Sequence, residues 1–368
     1  MSSSLVYSFD KPAIYFSDTL FSPELIAYCQ HAYANLVIMT DEMVGALYAQ
    51  PLRDYLLSAA NNVHVLTVPV GEMSKSRATK ALLEDQMFAL GCGRDTCIIA
   101  LGGGVITDLA GFIAATYCRG VPVIYFPTSL LAMVDAALGG KTGINTSFGK
   151  NLLGTFTQPK AVFITLSVLT TLPEEEYINA FAEVLKHGLI ADRHYFEYVL
   201  SHITAIKQRE LDCLQVIIQR SCEIKMKIVS EDQLEQGKRT LLNYGHTIAH
   251  ALETCSTYQL KHGYAVFIGL VVEAYLAYIM NLLPYTDLNI IQEAVKQFIP
   301  KFNLPTIITS EKLLQAMTLD KKARQRIPRL VLLQAIGEPY ITQKQQYTVA
   351  IEPGKLRQAV DYLLEQAC

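Results

Sequence analysis

The stretch CIIALGGGVITDLAGFIA, Cys97 to Ala114, decides the fold. A continuous apolar run, Cys97–Leu101, meets three glycines, Gly102, Gly103 and Gly104, and then a helical apolar pattern. An apolar run without polar alternation is the pattern of a strand buried on both faces. Glycine permits positive φ and close backbone approach, and the first turn of the helix offers unpaired N–H groups suited to a pyrophosphate. The segment is neither the six-residue dinucleotide fingerprint nor a P-loop, since no Gly-Lys-Ser/Thr follows it. Taken alone, the triplet serves a tight turn as well as a nucleotide.

The same alternation extends on both sides. NLVIMT (Asn35–Thr40), VHVLTVP (Val63–Pro69) and PVIYFP (Pro122–Pro127) read as further buried strands, with helix-like segments Met43–Ala60 and Arg77–Leu90 between them. This order predicts a Rossmann-like parallel sheet flanked by helices. From Pro173 the character changes. Pro-Glu-Glu-Glu opens a helix, with proline and acids suited to its first turn, and helical patterns follow to about Asn281. Two late runs, Arg329–Ile336 and Gln346–Ile351, read as a small hairpin before a final helix from Gly354. The expected organisation is an α/β domain over 1–172 and a mainly α-helical domain over 173–368, with no internal repeat.

Composition agrees with two packed domains. The 368 residues are 51% hydrophobic and 18% charged, enough apolar material for sizeable cores. The net charge of −3 gives no reason to invoke nucleic acid or an anionic membrane. The eight cysteines contain no C-x-x-C pair, so free thiols in a reducing compartment are expected. The N-terminus shows no basic segment followed by an apolar run. The most apolar stretch, Leu109–Gly140, is interrupted by Arg119, Pro122, Pro127 and Asp135 and reads as core, not as a membrane span. The expected location is the cytoplasm.

Polar residues cluster at strand ends and in Gly-rich turns. Asp41 closes the Asn35 strand, where an acid suits a ribose diol or, equally, a helix N-cap. Gly71-Glu72-Met73-Ser74-Lys75 follows the next strand and offers a polar clamp. Asp135–Asn145 (DAALGGKTGIN) and Gly149-Lys150-Asn151 form a second glycine-rich region, read as short loops whose lysines, Lys141 and Lys150, suit anion or hydroxyl contacts. Lys186, Lys225, Arg239 and Lys322 sit inside apolar or helical patterns where a solvated charge is not expected. If they converge, they make a pocket for a phosphate and a carboxylate.

Three segments suit a metal. Glu183 lies on an amphipathic helix, His246 and His250 share one helix face four residues apart, and His262 opens another helix. A catalytic zinc favours about three N/O ligands and an open position, which two histidines and a glutamate supply. No His-Glu-x-x-His is present, so a zincin protease is not supported. Spacing alone does not choose between His246 and His250.

The ordered segments GGGVITDLAGFIAATYCRG, FPTSLLAMVDAALGGKTGIN, GKNLLGTFTQPK, LPEEEYINAFAEVLKHGLI, RSCEIKMKIV and LLNYGHTIAHALE…HGYAV resemble the 3-dehydroquinate synthase family of sugar phosphate cyclases. The resemblance spans roughly residues 35–337. It implies conversion of 3-deoxy-D-arabino-heptulosonate 7-phosphate to 3-dehydroquinate with release of phosphate, in the shikimate pathway. NAD is reduced and reoxidised within one turnover, and Zn2+ or Co2+ acts as a Lewis acid. Phosphate elimination, ring opening and an intramolecular aldol step complete the reaction, with the phosphate itself as a base.

By the same resemblance the metal ligands are Glu183, His246 and His262, and His250 contacts substrate. NAD contacts are Asp41, Glu72, Lys75, Gly103, Gly104, Asp108, Thr128, Ser129, Lys141 and Lys150. The substrate pocket takes Asp135, Lys141, Lys150, Asn151, Lys186, Lys225, Arg239, Asn243, His250 and Lys322. Arg119 matches an arginine that reaches the neighbouring subunit's substrate phosphate, implying a homodimer. The chain departs from the family's usual residues at Ala136-Ala137, Ser129, Ala249 and Tyr264, and around Lys321-Lys322. Other sugar phosphate cyclases and, more distantly, NAD-dependent polyol dehydrogenases are the competing readings. Retention of Lys225, Arg239, Asn243 and Lys322 favours an acid substrate.

Overall fold

A computed structural model describes residues 12–30, 32–257, 259–319 and 327–367. The chain divides into two compact units, Met1–Pro173 and Glu174–Cys368. In the first, β1 (Ala13–Ser17) and α1 (Pro23–Cys29) precede β2 (Asn35–Asp41), α2 (Glu42–Val44), α3 (Gln50–Leu56) and β3 (Asn62–Val68). Then come α4 (Arg77–Ala89), β4 (Thr96–Gly102), α5 (Gly104–Thr116), β5 (Val123–Pro127), β6 (Lys141–Thr146), β7 (Gly149–Phe156) and β8 (Ala161–Thr165).

Six of these strands form one sheet in the order β1-β8-β5-β4-β2-β3, every pairing parallel. Every residue of β4 is buried, as its unbroken apolar run predicts. The chain moves outward from β2 to β3 and then returns to place β4 on the other side of β2. The crevice at the C-terminal ends of β2 and β4 is therefore a topological switch point, the place where open parallel sheets bind ligands. Asp41 and Gly102 end those two strands.

The Rossmann-like reading holds, with local corrections. Met43–Ala60 is not one helix: α2 passes through a π-helical turn, Gly45–Ala49, into α3, which stops at Leu56. Pro51 explains the break, because it has no N–H to give the preceding turn. The region around Lys141 and Lys150 is not a pair of loops but the antiparallel ribbon β6–β7. Its glycines serve strand contact: a Cβ on Gly154 would meet the Thr142 carbonyl oxygen at 1.9 Å.

The second unit runs α6 (Glu174–Ala191), α7 (Arg193–Ser201), α8 (Ile203–Lys207), α9 (Leu211–Glu231), α10 (His246–Cys255), α11 (His262–Ile279), α12 (Tyr285–Lys296) and α13 (Ser310–Leu319). Four short strands follow, β9 (Arg329–Leu330), β10 (Leu333–Ala335), β11 (Glu338–Pro339) and β12 (Val349–Ala350), and then α14 (Pro353–Ala367). The single late hairpin read from sequence is two ladders: β9 pairs with β12, and β10 turns back directly on β11. Lys321 and Lys322 lie outside the described residues.

Helix α11 is the centre of this unit, packed on α6, α10, α12 and α14. Among the described residues it is the one helix apolar and long enough to cross a membrane, and burial by its neighbours accounts for that composition. Its crossing with α10 is held by glycines. Gly245 takes a left-handed conformation, φ 80°, and a Cβ on Gly269 would meet the Gly245 carbonyl oxygen at 1.9 Å. Tyr244 donates its hydroxyl to the Leu270 carbonyl (3.0 Å), and Gly245 N–H donates to Glu273 (2.8 Å).

Gly269→Ala is expected to lower unfolding stability by about 1–3 kcal/mol through overpacking. Gly354→Ala, where a Cβ meets nothing within 4 Å, is the neutral control. Equal denaturant midpoints for the two variants would contradict the tight crossing.

Candidate active site

In the first unit the polar candidates gather near the switch point. Gly103 stands at the N-cap of α5 and Gly104 is its first residue, so the free N–H groups of that turn face the end of β4. Thr128 N–H donates to the Gly102 carbonyl (3.0 Å), which ties the turn after β5 to the glycine loop. Ser129 Oγ accepts from Ala132 N–H (3.3 Å). Asp41 Oδ1 accepts from Met43 and Val44 N–H at 3.0 and 2.9 Å, so its N-cap role is real.

Lys75, 4% exposed, forms an ion pair with Asp108 on α5. Burial pushes the Asp108 carboxyl up, with the Lys75 ammonium opposing. Glu72 accepts from Asn145 Nδ2 (2.7 Å), while Asn145 Oδ1 accepts from Asn151 N–H (3.0 Å). Asn145, which the sequence reading did not single out, thus links the loop after β3 to the β6–β7 ribbon. Asp135 lies in a π turn, Ala132–Ala136, and Lys141 and Lys150 lie on β6 and β7. Arg119 is exposed on a turn where Cys118 and Arg119 both have positive φ, 50° and 70°. The Tyr117 hydroxyl anchors that turn on the Cys92 carbonyl (2.7 Å).

The second unit holds the metal candidates. Glu183 on α6 is fully buried, at 0% exposure. His246 Nε2 lies 3.4 Å and His262 Nε2 3.7 Å from Glu183 Oε1, and one donor atom from each of the three residues lies within 4.8 Å of the others. His250, one turn along α10, is outside that group; its ring centroid is 5.7 Å from that of His246. Neither Glu183 oxygen accepts a well-aligned hydrogen bond, and the Lys186 ammonium contacts Oε2.

The electrostatics ask for positive charge. Burial, the largest single influence, opposes ionisation of Glu183, but the Lys186 ammonium and the His246 and His262 rings together outweigh it and hold the carboxyl well below its usual range. Burial and Lys186 push His246 down to about 3, so its ring is neutral. His246 Nδ1 donates to the Tyr244 carbonyl (3.1 Å), which leaves the Nε2 lone pair facing the carboxylate. His262 is half-buried, and although desolvation opposes its charge, the Glu183 and Glu253 carboxylates raise it to about 10. A proton on His262 therefore occupies the place that a cation would take. Two imidazole nitrogens and one carboxylate oxygen, short of donors and rich in lone pairs, fit a divalent cation.

The remaining cations are buried too: Lys186 is 1%, Lys225 5% and Arg239 1% exposed. Arg239 donates to the Gln233 carbonyl (2.5 Å). Asn243 Nδ2 donates to Glu235 (2.6 Å), a residue that carries positive φ, 59°. Sequence reading missed Glu235 and Glu253. Each lies in a polar or helical run that looks solvated, and only the fold turns it inward.

His262 must lose its proton when a metal binds. Co2+ affinity is thus expected to rise about tenfold per pH unit between about pH 6 and pH 8, measured by chelator competition. A flat profile would contradict His262 as a protonated ligand.

With this geometry in hand, known proteins give a consistent match. The family models described as 3-dehydroquinate synthase N-terminal and C-terminal match residues 65–179 and 180–323. A 3-dehydroquinate synthase of Pseudoalteromonas translucida (strain TAC 125) is 43% identical over 303 residues, 82% of this chain and 85% of that one. A solved 2-deoxy-scyllo-inosose synthase, complexed with carbaglucose-6-phosphate, NAD+ and Co2+, has a TM-score of 0.89 at 25% identity, covering 98% of this chain and 99% of that one. A 2-epi-5-epi-valiolone synthase from Streptomyces hygroscopicus subsp. jinggangensis 5008, with NAD+ and Zn2+ bound, has a TM-score of 0.86 at 25% identity, covering 99% of both chains. The chain belongs to the 3-dehydroquinate synthase family.

Proposed function

We propose that this chain converts 3-deoxy-D-arabino-heptulosonate 7-phosphate to 3-dehydroquinate and phosphate, with NAD regenerated in each turnover. The observation that carries the reading is the buried Glu183 carboxylate with two imidazole nitrogens turned toward it, in a chain of this family. When bound, NAD supplies a reversible oxidation of a secondary alcohol, and Zn2+ or Co2+ polarises its oxygen.

The residues then have these tasks. The first turn of α5, at Gly103 and Gly104, meets the pyrophosphate, and Thr128 and Ser129 flank it. Asp41 turns its second oxygen to the ribose, while Glu72, Lys75 and Asp108 complete the cofactor's polar surroundings. Glu183, His246 and His262 hold the cation, and His250 stays a substrate contact. Asp135, Lys141, Lys150 and Asn151 orient hydroxyls and phosphate. Lys186, Lys225, Arg239, Asn243 and Lys322 bind the anionic groups and stabilise the leaving phosphate. In this reading residues 1–172 bind NAD and residues 173–368 bind metal and substrate.

The acid substrate is favoured over a neutral sugar phosphate by sequence distance. The matched 3-dehydroquinate synthase is 43% identical, against 25% for the inosose and valiolone synthases. The enzyme works as a homodimer in which Arg119 serves the partner's substrate. An exposed Arg119 supports this, as do the outward apolar side chains Phe148, Leu152 and Phe156 around β7. The described cysteines are all unpaired thiols, which suits a reducing cytoplasm.

Incubation with the heptulosonate phosphate, NAD and Co2+ is expected to release phosphate with no net NADH. Net NADH from a polyol, without phosphate release, would overturn the reading in favour of a dehydrogenase. Lys225→Met keeps the buried volume but removes a charge-assisted contact, so kcat/KM should fall roughly 10- to 150-fold, equivalent to about 1.5–3 kcal/mol. An unchanged kcat/KM would remove Lys225 from the substrate pocket.

A further inference from the structure

We infer that Glu253 is a positioning residue for the metal centre, fixing the tautomer and the aim of His262. The inference rests on the ligand set proposed above. Glu253 lies in the last turn of α10 and is 5% exposed. Its Oε2 is 3.5 Å from His262 Nδ1, and the opposite ring nitrogen, Nε2, is the one facing Glu183.

A carboxylate only accepts hydrogen bonds. Beside Nδ1 it therefore requires the N–H there and leaves the Nε2 lone pair for a cation. His246 has the same tautomer set by a neutral partner, the Tyr244 carbonyl. The two ligands differ in that one is backed by a dipole and the other by a full negative charge. Charge behind the ring raises its basicity and its strength as a donor to metal.

The chain fixes this pairing through the connection between α10 and α11. Ser256, 1% exposed, donates its hydroxyl to the Glu253 carbonyl (3.0 Å) and accepts from Leu260 N–H (3.3 Å). Lys261 then ties the start of α11 to Glu176 on α6 (2.6 Å). The loop returns His262 over Glu253 while both ends are held. A glutamine at 253 would keep the shape and an acceptor oxygen but not the charge, which separates positioning of the metal from mere packing.

The test compares Glu253→Gln and His262→Ala with the parent chain. It reads Co2+ affinity by chelator competition, the visible Co2+ spectrum, and the melting point of the metal-free protein. Glu253→Gln is expected to bind Co2+ about 10- to 100-fold more weakly, with shifted bands, while metal-free melting stays at the parent value. Parent affinity and spectrum in Glu253→Gln, with metal lost in His262→Ala, would overturn the role of Glu253 and leave the ligand set intact. Parent affinity in His262→Ala would overturn the ligand set itself. In the unmodified Zn2+-loaded protein, histidine NMR should show the His262 proton on Nδ1. A proton on Nε2 would overturn the inference whether or not the variants fold.

Discussion

Glu183 carries its charge with 0% exposure, and the groups turned toward it are a lysine ammonium and two imidazole rings. An ionised carboxylate taken from water costs several kcal/mol unless positive charge meets it. Here Lys186 meets one oxygen and a proton on His262 lies beside the other. That arrangement constrains three helices at once. α6 presents the carboxylate, α10 and α11 each present an imidazole from their first residue, and all three must approach to within a few ångströms. The glycine contact between Gly245 and Gly269 permits the approach of α10 to α11, because any side chain at 269 would strike backbone. The left-handed Gly245 then lets the Tyr244 carbonyl turn onto His246 Nδ1. Packing, backbone conformation and ligand orientation are in this way one structural solution.

The first unit solves a different problem by topology. A parallel sheet that reverses its winding leaves a crevice at the ends of β2 and β4, and the residues ending those strands need only be small or hydrogen-bonding. Gly102–Gly104 meet the first requirement and Asp41 the second. The Lys75–Asp108 ion pair and the Asn145 contacts then bind the neighbouring loops to α5 and to the β6–β7 ribbon.

Much of this was legible in the sequence. Buried parallel strands announce themselves as unbroken apolar runs, so β2, β4 and β5 are legible to within a residue or two. β3 is placed as well, but it is the edge strand of the sheet, with Asn62 and Thr67 exposed, and not a strand buried on both faces as its run predicts. Strands β1 and β8, five residues each and separated by most of the unit, were not distinguished, because short apolar runs carry little period. The β6–β7 ribbon was hidden because close strand contact demands glycine, and glycine reads as loop. At the candidate metal site, spacing draws attention to His246 and His250, which share a helix face. Geometry instead brings His262 beside Glu183. Glu253 was invisible as anything other than a helical acid, since its partner follows only after the chain reverses direction.

The cluster of Glu183, His246 and His262 calls for one cation at the Glu183 carboxylate. Anomalous scattering from crystals grown with Co2+, recorded on either side of the cobalt edge, tests it most directly. A single strong peak is expected at about 2.0–2.2 Å from Glu183, His246 Nε2 and His262 Nε2. A peak shared by His246 and His250, or no peak at Glu183 in a protein that retains stoichiometric cobalt, would contradict it.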